Sequence, residues 1–197
     1  LAEYGIVIPQ GLRNVRKQLP SVLEDAENEL SDIARESFAQ LYGEFVALDD
    51  RIDILTRRIK LVSESNEKCT QLMSVPGIGP MVATAVFTAM GNPNHYRNGR
   101  EFAAFLGLVP RQYSTGGKTT LKGISKRGDR HTRTLLVQGA QAALLRMPKK
   151  TDSLSRWACR IKERKGHNVA IVALANKLAR ISWAIAANNT DYKTAAA

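Results

Sequence analysis

The sequence predicts an all-α protein in which a long coiled-coil helix precedes a compact helical domain. Apolar residues recur at steps of three and four along most of the chain, and the alternation typical of strands is slight. A Pro-Gly-Ile-Gly turn between two short apolar segments also indicates a helix-hairpin-helix motif within residues 71–90. We therefore expect a linker and coiled-coil region at 1–68, a helical domain at 69–190 and a tail at 191–197.

The coiled-coil pattern lies in residues 41–62. Apolar side chains there alternate between spacings of four and three residues, which is the seam of a heptad repeat. The seam consists of Leu41, Phe45, Leu48, Ile52, Leu55, Ile59 and Val62. Looser periodicity upstream extends the helix to roughly 30 residues, and Ser21 with Glu24 resembles a capping box. Another helix of the same chain or a second subunit would cover the seam equally well, and we expect a homo-oligomer.

The helix-hairpin-helix motif is centred on residues 76–80. Pro80 suits the first position of the second helix. Gly77 and Gly79 would expose backbone N–H groups at that helix N-terminus, where a DNA phosphate binds favourably. The alternative is a tight helical hairpin that packs against the core and binds nothing.

Four further helices are predicted after this motif. The first covers residues 101–106 and is closed by Gly107. A second begins after Asp129 as its N-cap, and the last two span about 153–164 and 169–187. Between the first and second, alternating Thr, Leu and Ile residues allow a short hairpin. We expect Trp157 and Trp183 to be buried in the core, and the methionines to serve packing.

Residues 109–133 hold the candidate chemistry. Ser114 and Thr115 directly precede Gly116 and Gly117, and many basic residues follow with a single acid. A hydroxyl on a glycine turn surrounded by cations suits a nucleophile acting on a phosphodiester, because cations stabilise the charge that develops on the phosphate oxygens. The alternative is a solvated loop that contacts phosphate without chemistry. The residues of this stretch expected to bind nucleic acid are Gly116 and Gly117, which let another backbone approach closely, and the cations Arg111, Lys118, Lys122, Lys126, Arg127 and Arg130.

Charge is unevenly distributed along the chain. The net charge is +11, yet residues 1–70 hold 9 Lys and Arg against 13 Asp and Glu, whereas residues 71–197 hold 20 against 5. The second part therefore meets a polyanion, for which nucleic acid is the default. A membrane surface is disfavoured, since no stretch approaches 18 apolar residues.

Metal and targeting signals are weak in this sequence. Cys69 and Cys159 lack metal-ligand or redox spacing, and three scattered histidines make no zinc site, so we expect no metal in this chain and a reducing cytosol. We recognise no signal peptide. The chain opens at Leu1 rather than Met, which suggests a piece of a longer protein.

Three segments taken in order resemble a known family. They are Met-Ser-Val-Pro-Gly-Ile-Gly-Pro at 73–80, Phe-Leu-Gly-Leu-Val-Pro-Arg-Gln at 105–112, and Ser-Thr-Gly-Gly-Lys with Gly-Ile-Ser-Lys-Arg-Gly-Asp within 114–129. Together they are similar to the C-terminal half of insertion-sequence transposases of the "one hundred and ten" group, nearest its "eleven-eleven" subgroup. Residues 1–9 resemble the segment that joins that family's two halves.

The resemblance implies a function for the parent protein. In the family, a RuvC-like domain with a DEDD set of metal-binding carboxylates acts with a serine-bearing C-terminal domain to cut and rejoin DNA, under a guide RNA. Ser114 matches the family's serine, and Thr115 stands where many members have a second serine. A divalent metal such as Mg is expected in the missing RuvC-like domain, with no cofactor in this chain. The setting implied is the bacterial cytoplasm, and the fragment alone is expected to be inactive.

Two other classes of function compete with this interpretation. The chain would be a non-catalytic nucleic-acid-binding module if its hairpin and basic loop only hold the backbone. It would be an assembly domain if coiled-coil pairing were its main role. A covalent adduct with DNA at Ser114 separates the enzyme from the binding module, and a strictly monomeric chain would count against assembly.

Overall fold

The computed structural model describes residues 1–116 and 118–193 of the chain. This part is mostly helical, with one small antiparallel sheet. The helices are α1 (Leu12–Glu24), α2 (Asp32–Ser65), α3 (Glu67–Met73), α4 (Pro80–Met90), α5 (Gly99–Phe105), α6 (Arg130–Arg146), α7 (Ser153–Lys165) and α8 (His167–Asn188), and the strands are β1 (Pro110–Thr115) and β2 (Lys118–Ile124). The all-α expectation is confirmed for the helices but wrong for the hairpin of β1 and β2.

The chain divides into two compact units, residues 1–57 and 58–197. In the first unit, polar contacts tie α1 to α2. The Arg16 guanidinium forms ion pairs with Asp49 and Asp50, and the Arg35 guanidinium donates to the carbonyl oxygen of Leu23 at 2.6 Å. Polar links therefore hold the first unit, where Leu19 and other buried apolar side chains are few.

The expected capping box at Ser21 is wrong, because α1 runs through that residue. Ser21 Oγ donates to the carbonyl oxygen of Gln18 at 2.8 Å, inside the last turn. Pro20 lies within the helix and lacks the N–H that would bond to the carbonyl of Arg16. The hydroxyl of Tyr42 donates to that carbonyl oxygen instead, at 3.2 Å. A tertiary hydrogen bond thus satisfies the carbonyl that the proline leaves free.

The predicted long helix is confirmed as α2, which has 34 residues. Ser31 caps its start, since Ser31 Oγ accepts from the amide of Ala34 at 3.3 Å. Along the heptad seam, Leu48 is 56% exposed and Leu55 is 49% exposed. No apolar surface of the described chain covers these side chains, so pairing through the seam stays a prediction.

The second unit is built around α8, which packs against α5, α6 and α7. Leu174 and Leu178 on α8 are fully buried. Small residues let neighbouring helices approach closely, and a Cβ on Gly99 would lie 2.9 Å from the carbonyl oxygen of Arg180. The fold of the second unit thus depends on close helix contacts along α8.

Helix α8 is long and apolar enough to span a membrane by length and composition alone, with a mean hydropathy of 1.5 over its best window. The sequence patterns predict no stretch of nearly 18 apolar residues, so this length and hydrophobicity differ from the expectation. Half of the window is buried inside the fold. The central helix of a packed core has the same composition, and α8 occupies that position.

Candidate nucleic-acid interface

The candidate hydroxyls lie at the tip of the β1–β2 hairpin. Ser114 pairs with Thr119 and Thr115 with Lys118 in the antiparallel register. Gly116 follows with a φ of +57°, a conformation that glycine adopts without strain. The described residues of β1 are exposed throughout. The tip therefore presents its hydroxyls to solvent; Gly117 and the side chain of Lys118 lie outside the described residues.

Ser114 and Thr115 lie on opposite faces of the hairpin, because successive strand side chains alternate. On the Ser114 face, Nε2 of Gln112 donates to Ser114 Oγ at 2.9 Å. The serine hydroxyl accepts this hydrogen bond, so its own proton is available for transfer to a base. A substrate approaching one face therefore meets one of the two hydroxyls, and Gln112 lies on the face of Ser114.

The base of the hairpin is held by close backbone contacts. A Cβ on Gly107 would lie 2.1 Å from the carbonyl oxygen of Arg127, and a Cβ on Gly128 would lie 1.8 Å from that of Phe105. The amide of Lys126 donates to the carbonyl oxygen of Gly107 at 3.1 Å. Side chains at either glycine would force these segments apart, so the two glycines fix where the hairpin leaves the core.

Arg133 is a buried cation below this junction. It is 9% exposed, and its guanidinium donates to the carbonyl oxygen of Leu106 at 3.0 Å and to that of Asp129 at 3.4 Å. Leu106 follows the end of α5, where carbonyl groups lack helical partners and a positive charge is favourable. Arg133 therefore links α6 to the segment that leads into the hairpin. No local pattern in the sequence indicates this role.

The predicted cations surround this junction. Those with described side chains are all exposed: Arg111, Lys122, Lys126, Arg127 and Arg130. The Lys122 ammonium lies over the ring of Tyr113, 5.1 Å from its centroid. Lys126 has a φ of +56°, which is uncommon for a residue with a side chain. The hairpin and its base thus form a positively charged surface.

Asp129 serves as the N-cap of α6, as predicted. Its carboxylate accepts from the amides of His131 at 2.9 Å and Thr132 at 3.3 Å, and from the Thr132 hydroxyl. The hydrogen bond from the Thr132 hydroxyl is the largest influence and holds the pKa of Asp129 below its ordinary value. Burial, the next largest, raises that pKa, and the hydrogen bonds from the two amides lower it again. A carboxylate so engaged is a poor general base for Ser114.

The two glycines in the turn of the predicted helix-hairpin-helix motif have different environments. Gly77 has a φ of +94°, and a Cβ there would lie 2.7 Å from the carbonyl oxygen of Gly139 on α6. Gly79 is exposed and precedes α4, and a Cβ there would meet no atom within 4 Å. Gly77 therefore packs against the core, whereas the backbone at Gly79 is open to a ligand.

A groove of about 620 Å³ borders this turn. Two cations that the sequence patterns did not indicate, Arg146 and Lys150, line it together with Gly79. They lie at and just after the end of α6, far from the turn in sequence, and only the packing of α6 against the turn brings them there. The turn and these cations could together hold a phosphate.

The two tryptophans have the expected packing role only in part, and Met81 does not have it. Trp157 and Trp183 are partly buried against the core and also line a groove along α8. Met81 is 42% exposed, so it does not serve packing in the way the spacing predicted. Met90 and Met147 are buried as expected.

Metal ligands do not cluster in the part of the chain that the structure describes. No group of three His, Cys, Asp or Glu side chains there is placed to hold an ion. Asp129 and Asp152, two of the acids in the second unit, instead cap α6 and α7.

Comparison with known proteins places this geometry in a family. Residues 69–156, which include the helical turn and the whole hairpin, match the Transposase IS116/IS110/IS902 family. The chain carries a domain of the IS116/IS110/IS902 transposase family. The matched range contains Ser114 and the junction that holds the hairpin, and it ends one residue before Trp157.

Individual relatives match this transposase-family chain along nearly its whole length. It is 38% identical to "Transposase for insertion sequence element IS1111A" of Coxiella burnetii, over 100% of the chain and 54% of the relative. It is 41% identical to a "Probable family 20 transposase" of Pseudomonas aeruginosa, over 98% of the chain and 57% of the relative. "Transposase for insertion sequence element IS1328" of Yersinia enterocolitica is 40% identical, with the same coverage. The chain thus spans about half the length of these relatives.

Proposed function

We propose that this chain is the C-terminal part of a DNA transposase and supplies a serine nucleophile for strand cleavage and rejoining. The observation that supports this most directly is the position of Ser114, at the exposed tip of a hairpin whose base is fixed to the core and ringed by cations. The relatives' printed names, which are those of transposases, support DNA as the substrate.

In the proposed reaction, Ser114 Oγ attacks a backbone phosphorus of DNA. A bond forms between Oγ and phosphorus while the bond from phosphorus to one deoxyribose oxygen breaks, so the strand becomes attached to the protein. The serine proton passes to a base and the departing oxygen gains a proton. Attack by a hydroxyl of another DNA end reverses these changes and releases Ser114, which joins the strands.

Activation of Ser114 comes from outside this chain in our proposal. The hydroxyl of a serine is a weak nucleophile at neutral pH, and the described contact of Ser114 Oγ is with Gln112, an amide that cannot take its proton. The family resemblance suggests a source of this activation, which is a RuvC-like domain whose carboxylates hold divalent metal. The cations of the hairpin base would neutralise the phosphate during attack.

Further partners follow from the same resemblance. A guide RNA is the proposed source of sequence choice, because the cations of the hairpin suit backbone contact rather than reading of bases. The exposed seam of α2 supports a homo-oligomer, since a row of Leu and Ile side chains in contact with water is unfavourable. The rival interpretation, a non-catalytic module for binding and assembly, would use the same surfaces without the serine chemistry.

The decisive experiment uses the full-length parent protein with donor and target DNA. Ser114→Ala should lower strand exchange by roughly a thousandfold or more, because the reacting oxygen is removed. Thr115→Ala is the matched control, and it should retain most activity because its side chain lies on the other face. A phosphoserine bond at Ser114, found by mass spectrometry of the trapped adduct, would confirm the covalent step. Undiminished exchange by Ser114→Ala would refute it.

A further inference from the structure

A groove along α8 in the second unit combines two aromatic rings with unpaired cations. One part, of about 670 Å³, is lined by Trp157, Trp183, Arg100, Lys177 and Arg180 among others. An adjoining part of about 680 Å³ shares Trp157 and continues to Lys122 and Lys126 at the hairpin base. The groove therefore runs from the hairpin base along α8 to Trp183.

The charges of the groove are of one sign. The residues that line its two parts include five Lys or Arg side chains and no Asp or Glu. None of these five cations forms a salt bridge within the described chain. Burial, with the neighbouring charge of Arg180, lowers the pKa of Lys177. Like charges held together without counter-ions favour an anionic ligand.

The aromatic rings of the groove are held in place. The indole Nε1 of Trp183 donates to the carbonyl oxygen of Pro93 at 3.0 Å, which fixes the orientation of the ring. The Lys177 ammonium lies 4.1 Å from the centroid of the Trp157 ring. Because a hydrogen bond fixes the Trp183 ring, stacking of a flat group on that ring costs little conformational freedom. Aromatic faces beside cations are the usual means of binding single strands, whose bases stack while the phosphates meet the charges.

We propose that this groove binds a segment of single-stranded DNA, with bases against Trp157 and Trp183 and phosphates on Arg100, Lys177 and Arg180. Duplex DNA keeps its bases stacked inside and would gain nothing from the rings. The proposal rests on the proposed function, because cutting and exchanging strands exposes unpaired DNA beside the hairpin. The groove reaches Lys122 and Lys126, which would bring such a strand to the base of the hairpin that carries Ser114.

The chain provides its own probe for this site, since Trp157 and Trp183 are its only tryptophans. Oligo-dT added to the full chain should quench intrinsic fluorescence in a saturable way, whereas a duplex of the same length should quench little. An RNA oligonucleotide of matching sequence should compete no better than the DNA. If RNA competes tenfold better, the assignment to DNA is overturned.

Two variants test the parts of the groove separately. Trp157→Leu should weaken oligo-dT binding by about fivefold or more, the loss expected for one stacked base. Arg100→Gln with Arg180→Gln should weaken binding and reduce the salt slope by about 0.7 for each phosphate that is no longer neutralised. The matched control is Arg160→Gln with Arg164→Gln, which removes the same charge from the exposed face of α7. Thermal unfolding of each variant confirms that the fold is retained.

The outcomes separate this proposal from the proposed function. One outcome is that duplex DNA binds with a steep salt dependence while oligo-dT does not quench the tryptophans and binds the groove variants as tightly as the control. In that case the groove proposal is wrong and the hairpin proposal stands. If Ser114→Ala leaves strand exchange intact while oligo-dT binds in the groove, the covalent mechanism fails and the groove remains. The proposal is also refuted if the groove binds a protein segment and does not bind oligo-dT.

Discussion

Replacing Gly77 with alanine should destabilise the second unit strongly. The residue has a φ of +94°, and the new methyl group would lie 2.7 Å from the carbonyl oxygen of Gly139 and 3.0 Å from the Cβ of Ala143. Holding a non-glycine residue in this conformation costs about 1–3 kcal/mol. Forcing α6 away from the turn costs a further 1–3 kcal/mol or so. The expected loss is thus about 2–6 kcal/mol, a large part of the 5–15 kcal/mol typical of folded domains.

Urea unfolding followed by tryptophan fluorescence measures this loss. Both tryptophans lie in the second unit, so their signal reports its unfolding rather than that of residues 1–57. The midpoint for Gly77→Ala should fall without a change in the slope of free energy against urea. Gly79→Ala is the matched control, because its Cβ would meet open space. The control should stay within about 1 kcal/mol of the parent chain, since the loss of a glycine cap is offset by a less flexible unfolded state.

The pair of variants also tests whether the turn binds DNA. Gly79→Ala places a methyl group where a phosphate would approach the backbone, so it should weaken duplex binding while leaving stability intact. If Gly77→Ala unfolds within 1 kcal/mol or so of the parent, the packing explanation is wrong, and Gly77 would again be a candidate for phosphate contact.

Three further outcomes follow from the structure. Duplex binding by this chain should fall about a hundredfold between 50 and 200 mM salt if four hairpin cations each meet a phosphate, and salt-insensitive binding in a titration by anisotropy would refute that. Leu48→Lys with Leu55→Lys should lower the mass found by sedimentation, and an unchanged mass with a retained fold would show that the seam does not pair chains. Asp129 has a folded pKa below its unfolded value, so its stabilisation is present above about pH 4 and is lost as pH falls through the folded pKa. Asp129→Ala should cost about 1 kcal/mol at pH 7 and flatten that acid dependence in urea unfolding; an acid dependence equal to that of the parent would contradict the assignment.

Local signals in the sequence predict most of the helical fold. The N-cap at Asp129, the first-turn proline at Pro80 and the length of α2 all follow from rules that act within a few residues. Pro20 is where such rules fail. Proline removes a helical hydrogen bond and therefore predicts a helix boundary, but Tyr42 replaces that bond from 22 residues further along the chain.

The candidate site is predicted only in part for the same reason. The cations of the hairpin can be read from a run of residues in the sequence, and those with described side chains are exposed. Three contacts join segments that are distant in the sequence: Gly139 faces Gly77, Arg133 lies below the hairpin base, and Lys177 lies over the Trp157 ring. Periodicity indicates that a tryptophan on a helix faces inward, but it does not show that the ring also borders a charged groove.

The arrangement around Ser114 explains why a nucleophile would be placed on an exposed strand rather than in a pocket. A base and a metal in the same chain would leave the serine permanently reactive, whereas the described neighbour of its hydroxyl is only the amide of Gln112. The hairpin base is nevertheless rigid, since Gly107 and Gly128 admit no side chain at their backbone contacts. In the proposed function, this hydroxyl would become reactive only when a second domain brings a base or metal to it. Cleavage would then depend on assembly, which keeps strand cutting from occurring before the complex is complete.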